Sequence, residues 1–416
     1  MTRPAMELNN SPTGDMQDKI IKIYNGRILR DHKIIEDDYL WLRNGKILDP
    51  TLLFWDEQKN PDYLIDAKGA LIVPGYIELQ LNGAFGVDFT GDCGNLKEGL
   101  HKVSLGLLKQ GVTAYCPTIV SSRADVYEKV LPHTVPRKGS AKDGAEILGA
   151  HLEGPFISGD KYGAHEVATL QNANDGIDAL NGLYGLNKHD DRSVAIVTMA
   201  PDVDGVMEVI PELAKRVPIV AIGHSAATTS QSENAVRQGA TMVTHMFNAM
   251  QQFHHRDPGM IGLLGSSAVE RPYYGIICDG IHVHPNSIKI AYYSHPKGAV
   301  LVTDAMAAMG LPEGNYILGN MNVEVNSEGV YIAGTKTLAG SVIKMDDCVR
   351  NFQKFTGCSI VEAIEAATLH PAEAMKITDK KGSLNFGCDA DILFLNDKLE
   401  IQRVFVNGEE ANIHSN

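Results

Sequence analysis

The sequence predicts an α/β protein in which a (β/α)8 barrel carries a small β domain assembled from both chain termini. Three observations predict it. Eight short apolar runs alternate with helical stretches through the middle of the chain, both ends read as short strands split by turn dipeptides, and polar side chains concentrate where the apolar runs stop.

The N-terminal part is β-rich. Runs at 20–23, 39–42 and 46–48 are separated by Asn25-Gly26 and Asn44-Gly45, residue pairs that favour the left-handed backbone of tight turns. A further strand at 70–73 stops at Pro74-Gly75. The pattern then changes, with strand candidates at 76–81, 113–116, 147–152, 195–199, 219–222, 242–244, 274–277 and 299–302. Thr228-Thr229 ahead of 233–238, and Pro285 ahead of Ile288, Ala291 and Tyr292, mark helices between them. Parallel strands need such crossovers, and eight units close a barrel; an open doubly wound sheet is the alternative. Beyond it come a hairpin of 323–325 and 330–332 around Glu328-Gly329, helices near 343–355 and 360–375, and strands at 391–395 and 404–406 before Asn407-Gly408. The expected division is 1–70 and 379–416 for the small domain and 71–378 for the barrel.

Composition narrows the function. With 44% hydrophobic and 21% charged residues the chain is that of a globular protein without extended disorder. A formal charge of −14 leaves no basic footprint for nucleic acid, although one arginine in a pocket suffices for a small anion. Six scattered cysteines form no CxxC pair, and no leader pattern is read, so reduced thiols and a cytoplasmic location are expected. No apolar run approaches the roughly 20 residues of a membrane span.

In a (β/α)8 barrel the C-terminal strand ends form the reactive mouth. Gln80-x-Asn82, His151-x-Glu153, His224, His245 and Asp304 all fall there. Glu153, His224 and His245 supply one carboxylate and two imidazoles, enough to hold a divalent ion with room for water. Such an ion lowers the pKa of water and polarises an amide carbonyl, so the combination points to hydrolysis. A lone histidine at a strand end is equally a structural group. Asp304 suits a general base that passes its proton to a departing amine, or an N-cap for 305–307. His165, in the Gly163-Ala164-His165 loop, can donate a hydrogen bond to a carbonyl that gains negative charge. Arg256, in the loop 253–259, suits a phosphate or a salt bridge with Asp257, and Asp279-Gly280-Ile281-His282 is another polar strand end. There is no GxxxxGK[ST] loop, and Gly223-His224-Ser225-Ala226-Ala227 is not a GxSxG elbow.

In order along the chain, residues 74–83 (PGYIELQLNG), 151–156 (HLEGPF), 223–225 (GHS), 244–250 (THMFNAM), 279–282 (DGIH), 302–305 (VTDA) and 338–341 (LAGS) together resemble the N-acetylglucosamine-6-phosphate deacetylases of the amidohydrolase superfamily. The resemblance runs from about residue 20 to residue 408. It implies a TIM barrel with a small β-sandwich domain from both termini, and removal of the acetyl group from a small phosphorylated amino sugar by metal-activated water. It implies Glu153, His224 and His245 as metal ligands, Asp304 as base and then acid, and His165 as the carbonyl's donor. Substrate contacts are implied from Ala164, His165, Asn248, Ala249, Asp279, Gly280, Ile281 and the Leu338, Ala339 and Gly340 wall, with Arg256 and His282 on the phosphate. A homodimer is implied, Arg256 reaching across its interface. Where many superfamily members carry His-x-His, this chain has Gln80 and Asn82 as first-strand pocket residues; neutral amides are poor ligands, so one divalent ion per subunit is expected. Zinc is favoured, with iron, cobalt or manganese as alternatives. An amidohydrolase acting on another N-acylated sugar or cyclic amide, and a non-catalytic metabolite-binding protein on the same barrel, are the competing readings.

Overall fold

Eight parallel barrel strands, with a short ninth at Glu146–Ile147 paired beside the second, form the central sheet of the computed structural model, which describes residues 6–8, 18–52, 59–91, 93–318, 321–326, 329–335 and 338–414. The strands are β1 (Tyr76–Leu81), β2 (Val112–Val120), β3 (Ala150–Glu153), β4 (Val194–Met199), β5 (Ile219–Ile222), β6 (Met242–Val243), β7 (Tyr273–Ile277) and β8 (Ala299–Val302). Each pairs with the next in parallel register. β8 returns to β1, where the Asp304 amide donates to the Gln80 carbonyl at 2.9 Å and the Asn82 amide to the Ala305 carbonyl at 2.8 Å. That closure makes the sheet a nearly closed barrel and removes the open-sheet alternative.

Helices link the strands. Leu96–Leu108 connects β1 to β2 and Thr229–Gln238 connects β5 to β6, the latter opened by a capping box in which Thr228 accepts from the Gln231 amide. Pro285–Ser294, connecting β7 to β8, starts on its proline, where the missing N–H costs nothing. The β6 to β7 link is a 3-10 turn, Gly259–Gly265. The run at 147–152 divides, because Gly149 adopts φ 115 beside Ala195 and only Glu146–Ile147 and β3 pair on either side of it.

A mixed sheet draws on both chain ends. Leu71–Pro74 pairs in parallel with Ile21–Arg30 and antiparallel with Ile392–Leu395, so the tail completes a sheet begun at the N-terminus. Ile23, Ile28, Leu40, Ile65, Ile72, Ile392 and Phe405 pack into a core of its own. Asn25-Gly26 is not a turn here. Ile21–Arg30 runs through it as an irregularity, since a Cβ at Gly26 would stand 2.5 Å from Ile72 Cδ1 and glycine permits that approach. The hairpin instead turns at Asp31 and His32, both at positive φ. Asn44-Gly45 and Asn407-Gly408 do turn hairpins, between Arg43 and Lys46 and between Val406 and Glu409.

Past β8, Met321–Asn326 and Gly329–Ile332 pair antiparallel within a four-stranded sheet; Glu328 lies outside the described residues. Met345–Thr356 is a helix. The expected 360–375 helix breaks into Ile360–Glu365 and Leu369–Ala374, because the intervening Ala366 and Ala367 carbonyls accept from the Leu301 and Ile77 amides of the barrel. No helix among the described residues is long and apolar enough to cross a membrane.

Candidate metal centre

Glu153 ends β3, His224 stands two residues beyond β5 and His245 two residues beyond β6. Both histidines take positive φ, 48 and 28, as does Asp304 at 47. Left-handed backbone is unfavourable for side chains with a Cβ, by about 1–3 kcal/mol each, and persists where surrounding structure imposes it. These three turn their side chains off the strand ends into one centre.

The ligand-type atoms of Glu153, His224 and His245 all lie within 4.8 Å of one another. His224 Nε2 is 3.2 Å and His245 Nε2 3.0 Å from Glu153 Oε1, and the two Nε2 atoms are 2.9 Å apart. All three residues are at most 4% exposed, so water does not compete for them. His224 Nδ1 donates to the Lys161 carbonyl at 2.9 Å, which leaves a lone pair on Nε2 when the ring is neutral. Two imidazole nitrogens and a carboxylate oxygen that converge this way repel unless a positive charge lies among them. A divalent cation fits that demand, with two nitrogens and one oxygen as donors. Burial raises the Glu153 pKa, but the two imidazoles more than offset it and hold the carboxyl well below its usual value.

The first strand supplies supports. Gln80 Nε2 donates to Glu153 Oε1 at 2.9 Å, and Asn82 Nδ2 donates to Asp304 Oδ1 at 2.7 Å. Burial and the Glu153 charge push Asp304 up to about 7, against the opposing pull of His245 and Asn82. A carboxyl beside the ligand cluster, oriented by Asn82, stands where a general base is needed. The N-cap alternative finds no helix at 305–307, which are bridge and turn residues. Glu78, one step down the same face as Gln80 and Asn82, is buried, and desolvation pushes it up to about 8.

The 163–165 loop covers the centre. A Cβ at Gly163 would stand 3.3 Å from His224 Cε1, and the His165 and His224 rings meet edge to face at 4.5 Å. His165 Nδ1 accepts from the Ser121 amide at 3.2 Å and lies 2.7 Å from Ser121 Oγ. Its proton is therefore on Nε2, and burial pushes its pKa down to about 3, so the ring is a neutral donor. His151 takes no part: it spans the Leu79 carbonyl and Thr198 Oγ1, at 3.0 and 2.7 Å. Asp202 escaped the sequence reading. Its carboxylate accepts from the Ser225 hydroxyl and from the Ala226 amide at 3.2 Å, anchoring the segment that follows His224.

A second polar group lies past β7. Asp279 accepts from the Ile281 and His282 amides, both at 2.8 Å, and from His282 Nδ1 at 2.5 Å, so His282 Nε2 is left for another partner. Asp279, Ile281, His282, Gly340 and Ser341 line a cavity of about 260 Å3. The Ser341 carbonyl accepts from the Met306 amide, two residues past Asp304, which sets that cavity beside the end of β8. Leu338–Gly340 is a strand of the four-stranded sheet. Asn248 and Ala249 stand three and four residues past His245, and Asn248 Nδ2 is buried with no partner among the described residues. Ala164 and Arg256 are exposed. Arg256 contacts His255 Nε2 at 3.3 Å, whereas Asp257 accepts from Thr229 and Gly259; the anticipated Arg256–Asp257 bridge is not formed.

Residues 71–411 match the model of the amidohydrolase family. The chain is 45% identical over 396 residues to the N-acetylglucosamine-6-phosphate deacetylase of Danio rerio, covering 94% of this chain and 96% of that one. It is 31% identical over 388 residues to the N-acetylgalactosamine-6-phosphate deacetylase of Escherichia coli O157:H7, covering 93% and 98%. Among solved structures it is similar to the N-acetylglucosamine-6-phosphate deacetylase of Pasteurella multocida, with a TM-score of 0.80 and 27% identity over 94% of this chain and 100% of that one.

Proposed function

The chain belongs to the amidohydrolase family, and from that premise we propose that it hydrolyses the acetamide of N-acetylglucosamine 6-phosphate to acetate and glucosamine 6-phosphate. The observation that carries the reading is the buried convergence of Glu153, His224 and His245 beside Asp304.

A divalent cation held by those three residues supplies a Lewis acid that polarises the carbonyl and acidifies water. Zinc is favoured, and the neutral Gln80 and Asn82 argue for a single ion per subunit. The protein's own groups do the rest. Asp304 takes the proton of the attacking water and returns it to the amine nitrogen as the C–N bond breaks. His165 offers its Nε2 proton to the oxygen that gains charge. Gln80 and Asn82 hold the Glu153 and Asp304 carboxylates still.

The unpartnered Asn248 amide and the neighbouring Ala249 suit sugar hydroxyls, with Ala164 and the 338–340 strand as walls. His282, oriented by Asp279, and the exposed Arg256 suit the phosphate, Arg256 reaching the site of a partner subunit in a homodimer. The described cysteines are free and buried, which supports a cytoplasmic location.

Acetate release by the metal-loaded protein tests the reading. N-acetylglucosamine 6-phosphate is expected to exceed both N-acetylglucosamine and cyclic amides in kcat/KM. The Escherichia coli relative makes the galactosamine epimer the second reading, and a preference for N-acetylgalactosamine 6-phosphate would replace the first. Absence of acetate from every phosphosugar would refute both.

A further inference from the structure

The barrel does not close by strand pairing alone. Between β8 and β1 three kinds of contact follow one another up the seam. At the bottom, Ala366 and Ala367 insert their carbonyls, accepting from Leu301 at 2.8 Å and Ile77 at 2.9 Å. At the top, the strand backbones meet through Asp304 to Gln80 and Asn82 to Ala305. Between them lies one side chain. Glu78 accepts from the Gln80 amide at 2.9 Å through Oε1 and from the Thr303 amide at 3.0 Å through Oε2. It is 1% exposed, and its two oxygens supply acceptors to two buried amides, whose N–H groups are costly to leave unpaired.

The two amides belong to consequential residues. Gln80 holds the Glu153 carboxylate, and Thr303 immediately precedes Asp304. The strand backbones meet directly only above this height, through Asp304 and Asn82, and the 366–367 carbonyls take the Leu301 and Ile77 amides below it, so the Glu78 carboxyl spans the stretch between. We propose that Glu78 is a positioning residue for the hydrolysis, its carboxyl bridging the Gln80 and Thr303 amides so that Asp304 is held at a working distance from the Glu153, His224 and His245 centre. The inference rests on the deacetylase reading given above. It adds a role for a buried group that touches neither substrate nor cation.

Misplacement of a reacting group by about 1 Å can cost on the order of a hundredfold in rate. Glu78→Gln keeps the shape and one acceptor oxygen but turns an NH2 toward one of the two amides. In the full-length, metal-loaded protein its kcat on N-acetylglucosamine 6-phosphate is expected to fall about 10- to 100-fold, with KM and metal content per subunit each within about twofold of the parent. Rates are taken well below the melting temperature of each variant, so that lost stability does not pass for lost turnover. A kcat within about twofold of the parent overturns the proposal, whatever the change in stability. A fall in kcat that tracks loss of metal also overturns it, because Glu78 would then merely hold the ligand cluster together. Should Glu78→Gln not fold, Glu78→Asp, whose shorter carboxylate reaches one amide only, is judged by the same criteria. Failure of the parent itself to release acetate would refute the deacetylase reading, whereas an active parent whose turnover Glu78→Gln leaves intact would overturn the bridge alone.

Discussion

Replacing Asp304 by asparagine isolates proton transfer from the rest of the site. Asp304 Oδ1 accepts from Asn82 Nδ2 at 2.7 Å, and an asparagine amide oxygen can take over that bond without moving the strand end. The other carboxylate oxygen becomes an NH2 that accepts no proton. Neither change touches Glu153, His224 or His245, so the cation should bind as before. General base and acid assistance is worth about 10^2 to 10^4 in rate, or about 3 to 5 kcal/mol of barrier. Acetate release by Asp304→Asn is therefore expected to drop by that factor in kcat while KM and metal content stay near the parent's. Near-normal turnover at full metal occupancy would remove Asp304 from proton transfer. Loss of the metal would show instead that its charge is needed to assemble the centre.

Three other perturbations follow from the same geometry. Arg256→Ala should shrink the kcat/KM preference for N-acetylglucosamine 6-phosphate over the free sugar by at least about tenfold, as expected when one charged contact to phosphate is lost; an unchanged ratio assigns phosphate recognition elsewhere. Lys381, 3% exposed in its side chain, sits 2.7 Å from Asp391, 3.1 Å from Glu146 and 3.2 Å from Asp389 where the barrel meets the terminal sheet. Lys381→Met leaves those carboxylates facing one another and should cost about 3–5 kcal/mol in denaturant unfolding, partly recovered by adding Asp391→Asn, and a loss below about 1 kcal/mol would refute the account. Because burial raises the folded pKa of Glu78 from 4.5 to about 8, the folded state binds the extra proton between those values. This group's stabilisation is thus present below pH 4.5 and lost as pH rises through about 8, with a slope of up to about 1.4 kcal/mol per pH unit. Glu78→Gln should flatten that difference in chemical denaturation, and parallel pH profiles for parent and variant would contradict it.

The barrel was legible because each strand is a short apolar run with a polar residue at its end, and that alternation is local. The runs at 76–81, 219–222 and 299–302 coincide with β1, β5 and β8 for this reason. Asn25-Gly26 misled because glycine answers two different needs, a left-handed turn and a close approach, and only the position of Ile72 distinguishes them. Pro371 inside the 360–375 run has no N–H for the Ala367 carbonyl, and the carbonyls at 366 and 367 are instead claimed by strands more than sixty residues away in sequence. Asp202 carried no signal, since a carboxylate near a strand end becomes a clamp only when Ser225 is brought to it.

By itself the amino-acid order determined which chemical groups stand at which strand ends, and hence a carboxylate, two imidazoles and an aspartate at one rim. Tertiary structure alone decided their states: which nitrogen of His224 and of His165 carries the proton, why burial and the Glu153 charge push the Asp304 carboxyl up, and which first-strand amide steadies which carboxylate. The pairs that set those states are 63, 44, 73 and 222 residues apart in the chain. Protonation depends on burial and on the charge of neighbours in space, and neither exists until the strands have closed on one another.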